Sequence, residues 1–450
     1  MKEELMDVVK KYKDDNCDHN GNIKESNLSK IQAQGLKECV QQAKEKKQVF
    51  YMTDKSRKNS VDTPSNYIEA MQKHIGEDKK LSQKEVKSIE KKLNGHAVMF
   101  ARILKIGESW NHQFRVKQAV KSENGPIPNL EGLRKDHKHV PVDQKEKGPP
   151  TRPVCGASRS VNGPLSNILS EILNRLADEL DEEIKTESRS TEDMIAGIRE
   201  VNRKIHTDDI NDITIWSSDV KALYPSFHVD EVAKNISETF YLSKMKIEVN
   251  IETLALYLAL VVSKEKLIEL GLDKVTPTWK HEGGPGQRPG ITTEEVFHSV
   301  KHSLFEKPRE EPDERQTRKM IALAIEEGIR AVMRGHMYKF NGEVYLQSDG
   351  GPIGLELTGA ISRAFMLWWD KEFQIQVRNV MQDIRWELLL YRRYVDDCNC
   401  IARETPPGAR IINGKCVIVE ECIEEDNELP GDLRTAKLMQ TIANNICNFI

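Results

Sequence analysis

The sequence contains no apolar run approaching the roughly 18 residues that a membrane-spanning helix needs. Its mean hydropathy is −0.58, so a soluble chain with no membrane partner is expected. It has eight cysteines but no Cys-x-x-Cys pair and no regular cysteine spacing. Cys398 and Cys400 are two apart, a strand spacing, yet no second Cys/His pair accompanies them. That argues against a structural zinc site or a disulfide scaffold and for reduced thiols in a cytosolic or nuclear protein. The opening stretch MKEELMDVVKKYKDD is charged throughout and lacks a signal-peptide core. Internal repeats are missing, and no cluster of Lys and Arg stands out as a localisation signal beyond KEKK at 44–47.

What is present is length and charge. The 450 residues suffice for two or three domains with a sizeable core. A net charge of −4 conceals an asymmetry: residues 1–160 carry 32 Lys and Arg against 22 Asp and Glu, and the acidic excess lies in the remainder. Such a division fits a nucleic-acid grip beside a cation-binding centre, and equally fits ordinary solvated helices.

Residues 1–50 read as a polar, Lys-rich helix and 51–120 as mostly helical. A basic stretch punctuated by Gly and Pro follows, reading as short strands and turns. GPLSNILSEILNRLADELDEEI is an amphipathic helix with Leu165, Ile168, Leu169, Ile172, Leu173 and Leu176 on one face. DITIWSSDVKALYPSF alternates like a strand up to Asp219 and bends at Pro225. Helices are expected on to 270, a Gly/Pro loop at 281–290, a helix over about 314–334, and a hairpin turning on Asn341-Gly342. A helix at LTGAISRAFMLWWDKEF, a hairpin at YRRYVDDCNC, a second hairpin on Asn413-Gly414 and a terminal helix complete the chain.

Asp396 and Asp397 raise the chemical question. Neighbouring carboxylates repel, and burying either is costly unless a cation sits between them. The pair is therefore a surface turn or a metal site. Asp219 stands 177 residues earlier at a strand end, so only the fold can unite the three. Magnesium binds hard oxygen and takes one or two protein carboxylates plus substrate phosphates. Two such ions could activate a 3′-hydroxyl and stabilise leaving pyrophosphate. Tyr224, five residues after Asp219, is either a core tyrosine at a strand–helix junction or a ring beneath the sugar of an incoming nucleotide, excluding a 2′-hydroxyl.

Asp219 with Tyr224, followed by YVDD, resembles motifs A and C of reverse transcriptases. Four stretches are similar to the Penelope-like retroelement group and its relatives: LEGLRKDHK, TRPVCGASRSVNGPLSNIL, LYPS, and YLQSDGGPIGLELTGAISRAFM, the last standing for motif B. The resemblance covers about 130–450 in scattered motifs, and faintly 50–70. It implies an α+β, right-hand polymerase fold with a ferredoxin-like palm and fingers, after a mostly helical N-terminal region over 1–120. Fingers would span 121–212 and the palm 213–450, with an inserted loop at about 271–313 and no thumb or endonuclease.

By the same resemblance, Asp219, Asp396 and Asp397 would be catalytic and hold two Mg2+ ions, with Mn2+ as an alternative. Arg152 and Lys138, and with them Lys135, would reach the triphosphate from the fingers. Gly351, Pro352, Ile353 and Gly354 would form the turn against which nucleotide and template base pair lie, Gly354 letting backbone approach the ligand. Gln347 and Asp349 would shape that turn. The implied partners are an RNA template, a DNA primer and deoxynucleoside triphosphates, in the nucleus or cytoplasm. The rival readings are a non-catalytic nucleic-acid-binding remnant of such an element and a DNA-templated DNA polymerase.

Overall fold

In a computed structural model the chain is described over 48–56, 58–105, 126–135, 150–157, 160–205, 213–220, 223–275, 311–384, 386–404, 409–412 and 415–418, with five further positions between 34 and 45. Lys138, the loop at 281–290, Asn413, Gly414 and the terminal helix lie outside these residues.

The first described elements are strands. β1 (Val49–Met52) and β2 (Asn59–Asp62) form an antiparallel hairpin. This differs from the helical expectation for residues after 51. Tyr51 and Ser60 are buried while Met52 and Val61 are exposed, the two-residue period of a strand. Helical spacing starts only at α1 (Pro64–Ile75), where Thr63 caps the Asn66 amide and Pro64 occupies the first turn. The short β3 (Lys79–Lys80) precedes α2 (Gln83–Ile103), which begins at a reciprocal Ser82–Glu85 capping box.

β4 (Leu130–Arg134) and β5 (Thr151–Cys155) pair antiparallel, with Leu133 opposite Arg152. α3 (Gly163–Ile184) buries all six of the apolar residues its spacing nominated. α4 (Thr191–Lys204) leads to β6 (Ile213–Asp219), and α5 (Val229–Leu242), α6 (Ile251–Val261) and α7 (Lys264–Glu269) follow. α8 (Glu314–Arg334) opens on an Asp313–Gln316 capping box. Between β7 (Met337–Phe340) and β8 (Glu343–Leu346), Asn341 and Gly342 both have positive φ, as a two-residue hairpin turn requires. α9 (Glu356–Ile384), β9 (Trp386–Tyr394), β10 (Asp397–Glu404), β11 (Ala409–Ile412) and β12 (Lys415–Ile418) complete the order.

The architecture is mixed helix and antiparallel sheet. The central sheet has the order β6-β10-β9, three strands among the described residues where a ferredoxin-like sheet has four. Its two faces differ. Trp216, Tyr391, Cys398, Cys400 and Ala402 join the main core with Trp369 and Phe373 of α9 and the apolar stripe of α3. On the opposite face Ile215, Ser217, Asp219 and Asp397 are exposed, Ile215 to 73%. One face is thus sealed by helices, and the other carries the acidic end of the sheet to solvent. Among the described residues no helix is long and apolar enough to cross a membrane.

Candidate active site at the end of the central sheet

The register of β6 on β10 places Asp219 directly opposite Asp397. Opposed residues in an antiparallel pair project to the same face. Asp396 sits in the intervening β9–β10 turn, and its carbonyl accepts the Val220 amide at 2.9 Å. The exit of β6 and the turn are therefore tied together. The structure brings the three expected aspartates to one sheet end.

That turn is strained and braced. Val395, a β-branched residue, has φ +56°, a conformation that costs such residues of order 1–3 kcal/mol. Arg393 donates from Nη1 to the Val395 carbonyl at 2.8 Å. Its Nε donates to both oxygens of Asp370 on α9, at 3.1 and 3.0 Å. Asp370 also accepts from Tyr391 Oη at 2.6 Å and Thr186 Oγ1 at 2.9 Å. The ion pair is sealed from water, with Arg393 1% and Asp370 0% exposed. Burial pushes the Asp370 carboxyl up from its ordinary range, against the pull of Arg393 and the two hydroxyls.

The carboxylates sense one another. Burial first, then the like charges of Asp219 and Asp397, raise the Asp396 carboxyl, while Arg152 opposes them. Repulsion of this kind is what a bound cation relieves. Among the described residues no three His, Cys, Asp or Glu side chains converge closely enough to hold an ion unaided. Hard carboxylate oxygens nonetheless suit magnesium, which completes its shell with water and substrate phosphates.

Tyr224 lies beside this cluster. Burial raises its phenol, and the Asp396 charge adds to that while Arg152 opposes it. Its carbonyl accepts the Gly351 amide at 2.7 Å, and the Gly350 amide reaches the Phe227 carbonyl at 3.2 Å. The turn 351–354 is thereby docked on the segment after β6. On its other side the Cys155 amide donates to the Ile353 carbonyl at 2.7 Å and the Ala157 amide to Gly354 at 3.2 Å. Pro352 offers its carbonyl to Thr358 Oγ1 at 2.9 Å. Gln347 Nε2 bonds the carbonyls of Asp349 and Gly350, and Asp349 contacts His228 and the Val229 amide. These two side chains hold the turn, as expected of them.

Gly354 also has a packing reason. Its φ is +105°, and a Cβ there would lie 2.4 Å from the Cys155 carbonyl oxygen. What presses on it is the backbone at the end of β5. Gly354→Ala is expected to destabilise the fold by about 2–3 kcal/mol, read as a lower denaturation midpoint. An unchanged midpoint would contradict this packing.

Arg152 projects from β5 half-exposed, with its Nε 3.2 Å from Asp54 Oδ2. Lys135 follows β4, its amide bonded to the Pro150 carbonyl at 2.9 Å. Lys138 is not among the described residues. Sequence reasoning missed Asp54, Asp370 and Arg393. The available signals were an acid in the apolar run LWWDKEF and an arginine adjoining YVDD.

No protein-family model matches the chain, and no curated protein does. Two solved structures are among those it is similar to. One is telomerase from Candida albicans in complex with a TWJ fragment of telomeric RNA, at 12% identity and TM-score 0.44, covering 84% of this chain and 50% of that one. The other is apo telomerase from Candida tropicalis, at 11% identity and TM-score 0.39, covering 83% and 53%. The chain thus spans about half the length of each.

Proposed function

We propose that this chain is a template-directed nucleotidyltransferase, an RNA-directed DNA polymerase of a Penelope-like retroelement. The observation that carries the reading is Asp219 in register with Asp397, with Asp396 in the adjoining turn, on an open sheet end beside Tyr224. The order of motifs along 130–450 supports the assignment to reverse transcription and to that group. Asp219, Asp396 and Asp397 would hold magnesium, or manganese, which when bound supplies charge neutralisation at the reacting phosphate. The two strand ends and the braced turn between β9 and β10 keep these carboxylates fixed, so little reorganisation is needed as charge develops.

Arg152, with Lys138 and Lys135, meets the triphosphate; Tyr224 lies under the sugar; Gly351 to Gly354 back the nascent pair. Template RNA and primer DNA are gripped through shape and backbone, which makes binding salt-sensitive.

The test is primer extension on matched RNA and DNA templates with magnesium. Extension favouring the RNA template is expected. Equal or greater extension on DNA would move the reading to a DNA-templated enzyme. Duplex binding without extension would leave a non-catalytic nucleic-acid-binding remnant. Tyr224→Ala is expected to raise ribonucleotide over deoxynucleotide use by roughly ten- to hundredfold, measured by competing substrates. An unchanged ratio would remove Tyr224 from the sugar site.

A further inference from the structure

Asp54 lies in the turn of the β1–β2 hairpin, 98 residues before Arg152, yet it meets that arginine at the edge of the site. Its carboxylate is only 10% exposed while the arginine side chain is 43% exposed. Shielding a carboxylate is costly unless the charge is answered, so the placement needs a cause. The surrounding backbone leaves it little freedom. Thr53 donates to the Lys58 carbonyl at 2.8 Å, and the Asp54 amide donates to the Arg134 carbonyl at 2.7 Å. Thr53 also bridges to Arg134 in parallel, and Arg134 Nη1 bonds Ser60 Oγ at 2.9 Å. Arg134 ends β4 in register with Thr151, one residue before Arg152. The hairpin is thus sewn to β4 and delivers one carboxylate to one side of the Arg152 guanidinium.

Which side matters. Asp54 approaches Nε as an ion pair and not as a well-formed hydrogen bond. Among the described residues the two Nη groups have no hydrogen-bond partner. β5, which carries Arg152, ends at Cys155, whose amide bonds the Ile353 carbonyl of the turn docked on Tyr224, so the arginine lies on the strand that borders the site. Arginine recognises phosphate through two parallel N–H bonds of its fork. Holding one edge in advance reduces the rotamer entropy lost when the fork closes on its ligand.

We propose that Asp54 is a positioning residue that orients Arg152, fixing Nε so that the Nη edge receives the triphosphate of the incoming nucleotide. The inference rests on the polymerase reading above. It assigns the N-terminal hairpin a role in substrate binding.

The test is steady-state incorporation by the full chain and its Asp54→Ala, Asp54→Asn, Arg152→Ala and doubly substituted Asp54→Ala/Arg152→Ala variants. Asp54→Ala is expected to raise the deoxynucleotide KM about tenfold, as loss of one well-oriented ionic contact implies, with kcat nearly unchanged. Asp54→Asn falls between. The double variant is no worse than Arg152→Ala alone, since the two residues act as a unit. A merely structural aspartate would lower the melting temperature and the active fraction, and so kcat, without moving KM. An unchanged or lower KM in Asp54→Ala, or losses that add to those of Arg152→Ala, would overturn the proposal. Calorimetric titration of the same proteins with inorganic tripolyphosphate gives a readout independent of turnover. Weaker binding in both Asp54→Ala and Arg152→Ala supports the orientation of Arg152 even if the native chain extends no primer, in which case the polymerase reading alone fails. Native-strength binding by Asp54→Ala overturns it.

Discussion

Asp396→Asn is expected to lower primer extension by about a thousandfold or more while the protein melts no lower than the native chain. The two halves come from one arrangement. Asp396 shares the sheet end with Asp219 and Asp397, and its carboxyl is raised by burial and by both neighbours. A carboxyl raised in the folded state contributes stability that is fully present below its unfolded value and is lost as pH rises through its folded value. At neutral pH the ionised Asp396 therefore weighs against the fold, and a neutral amide removes that burden. The melting temperature of the native chain should rise relative to Asp396→Asn as pH is lowered into the carboxylate range. A marked fall in the melting temperature of Asp396→Asn at pH 7 would show that the aspartate is a structural element of the turn. Native-level extension by the variant would remove it from the chemistry.

The largest stability effect is expected at the other side of the same turn. Arg393→Ala leaves Asp370 charged and wholly buried, and deletes the donor that braces the Val395 carbonyl. Removing one partner of such a pair costs about 3–5 kcal/mol, against typical domain stabilities of about 5–15. The measurement is urea denaturation, with the midpoint falling and the slope preserved. Arg393→Lys keeps the charge but loses the fork that reaches Asp370 and Val395 together, and should recover only part of the loss. A destabilisation under about 1 kcal/mol in Arg393→Ala would mean that water has access to Asp370 and that the pair does not hold the hairpin.

The helices were legible because burial has a period. Leu165 through Leu176 recur at helical spacing and all turn inward, and α8 and α9 were readable on the same ground. The hairpin at Asn341-Gly342 was legible because few other pairs accept two successive positive φ values. The β1–β2 hairpin was not, since Val49, Phe50 and Tyr51 form a run too short to set against the charged helical stretches on either side. Within the site, residues bearing local chemistry were nominated from sequence, and the register then joined Asp219 to Asp397. Residues acting through partners stayed hidden. Nothing near Asp54 points to an arginine 98 positions later, and nothing near Asp370 points to Arg393 across a helix–strand packing. Those pairings are properties of the fold and have no local pattern.

The most direct measurement is single-nucleotide incorporation on a preformed RNA–DNA template–primer, titrated with magnesium, comparing the native chain with Asp219→Asn. Saturable, magnesium-dependent incorporation is expected of the native chain and is lost in Asp219→Asn, which still binds the duplex. Incorporation at the native rate by Asp219→Asn, or none by a folded, duplex-bound native chain, would contradict this reading.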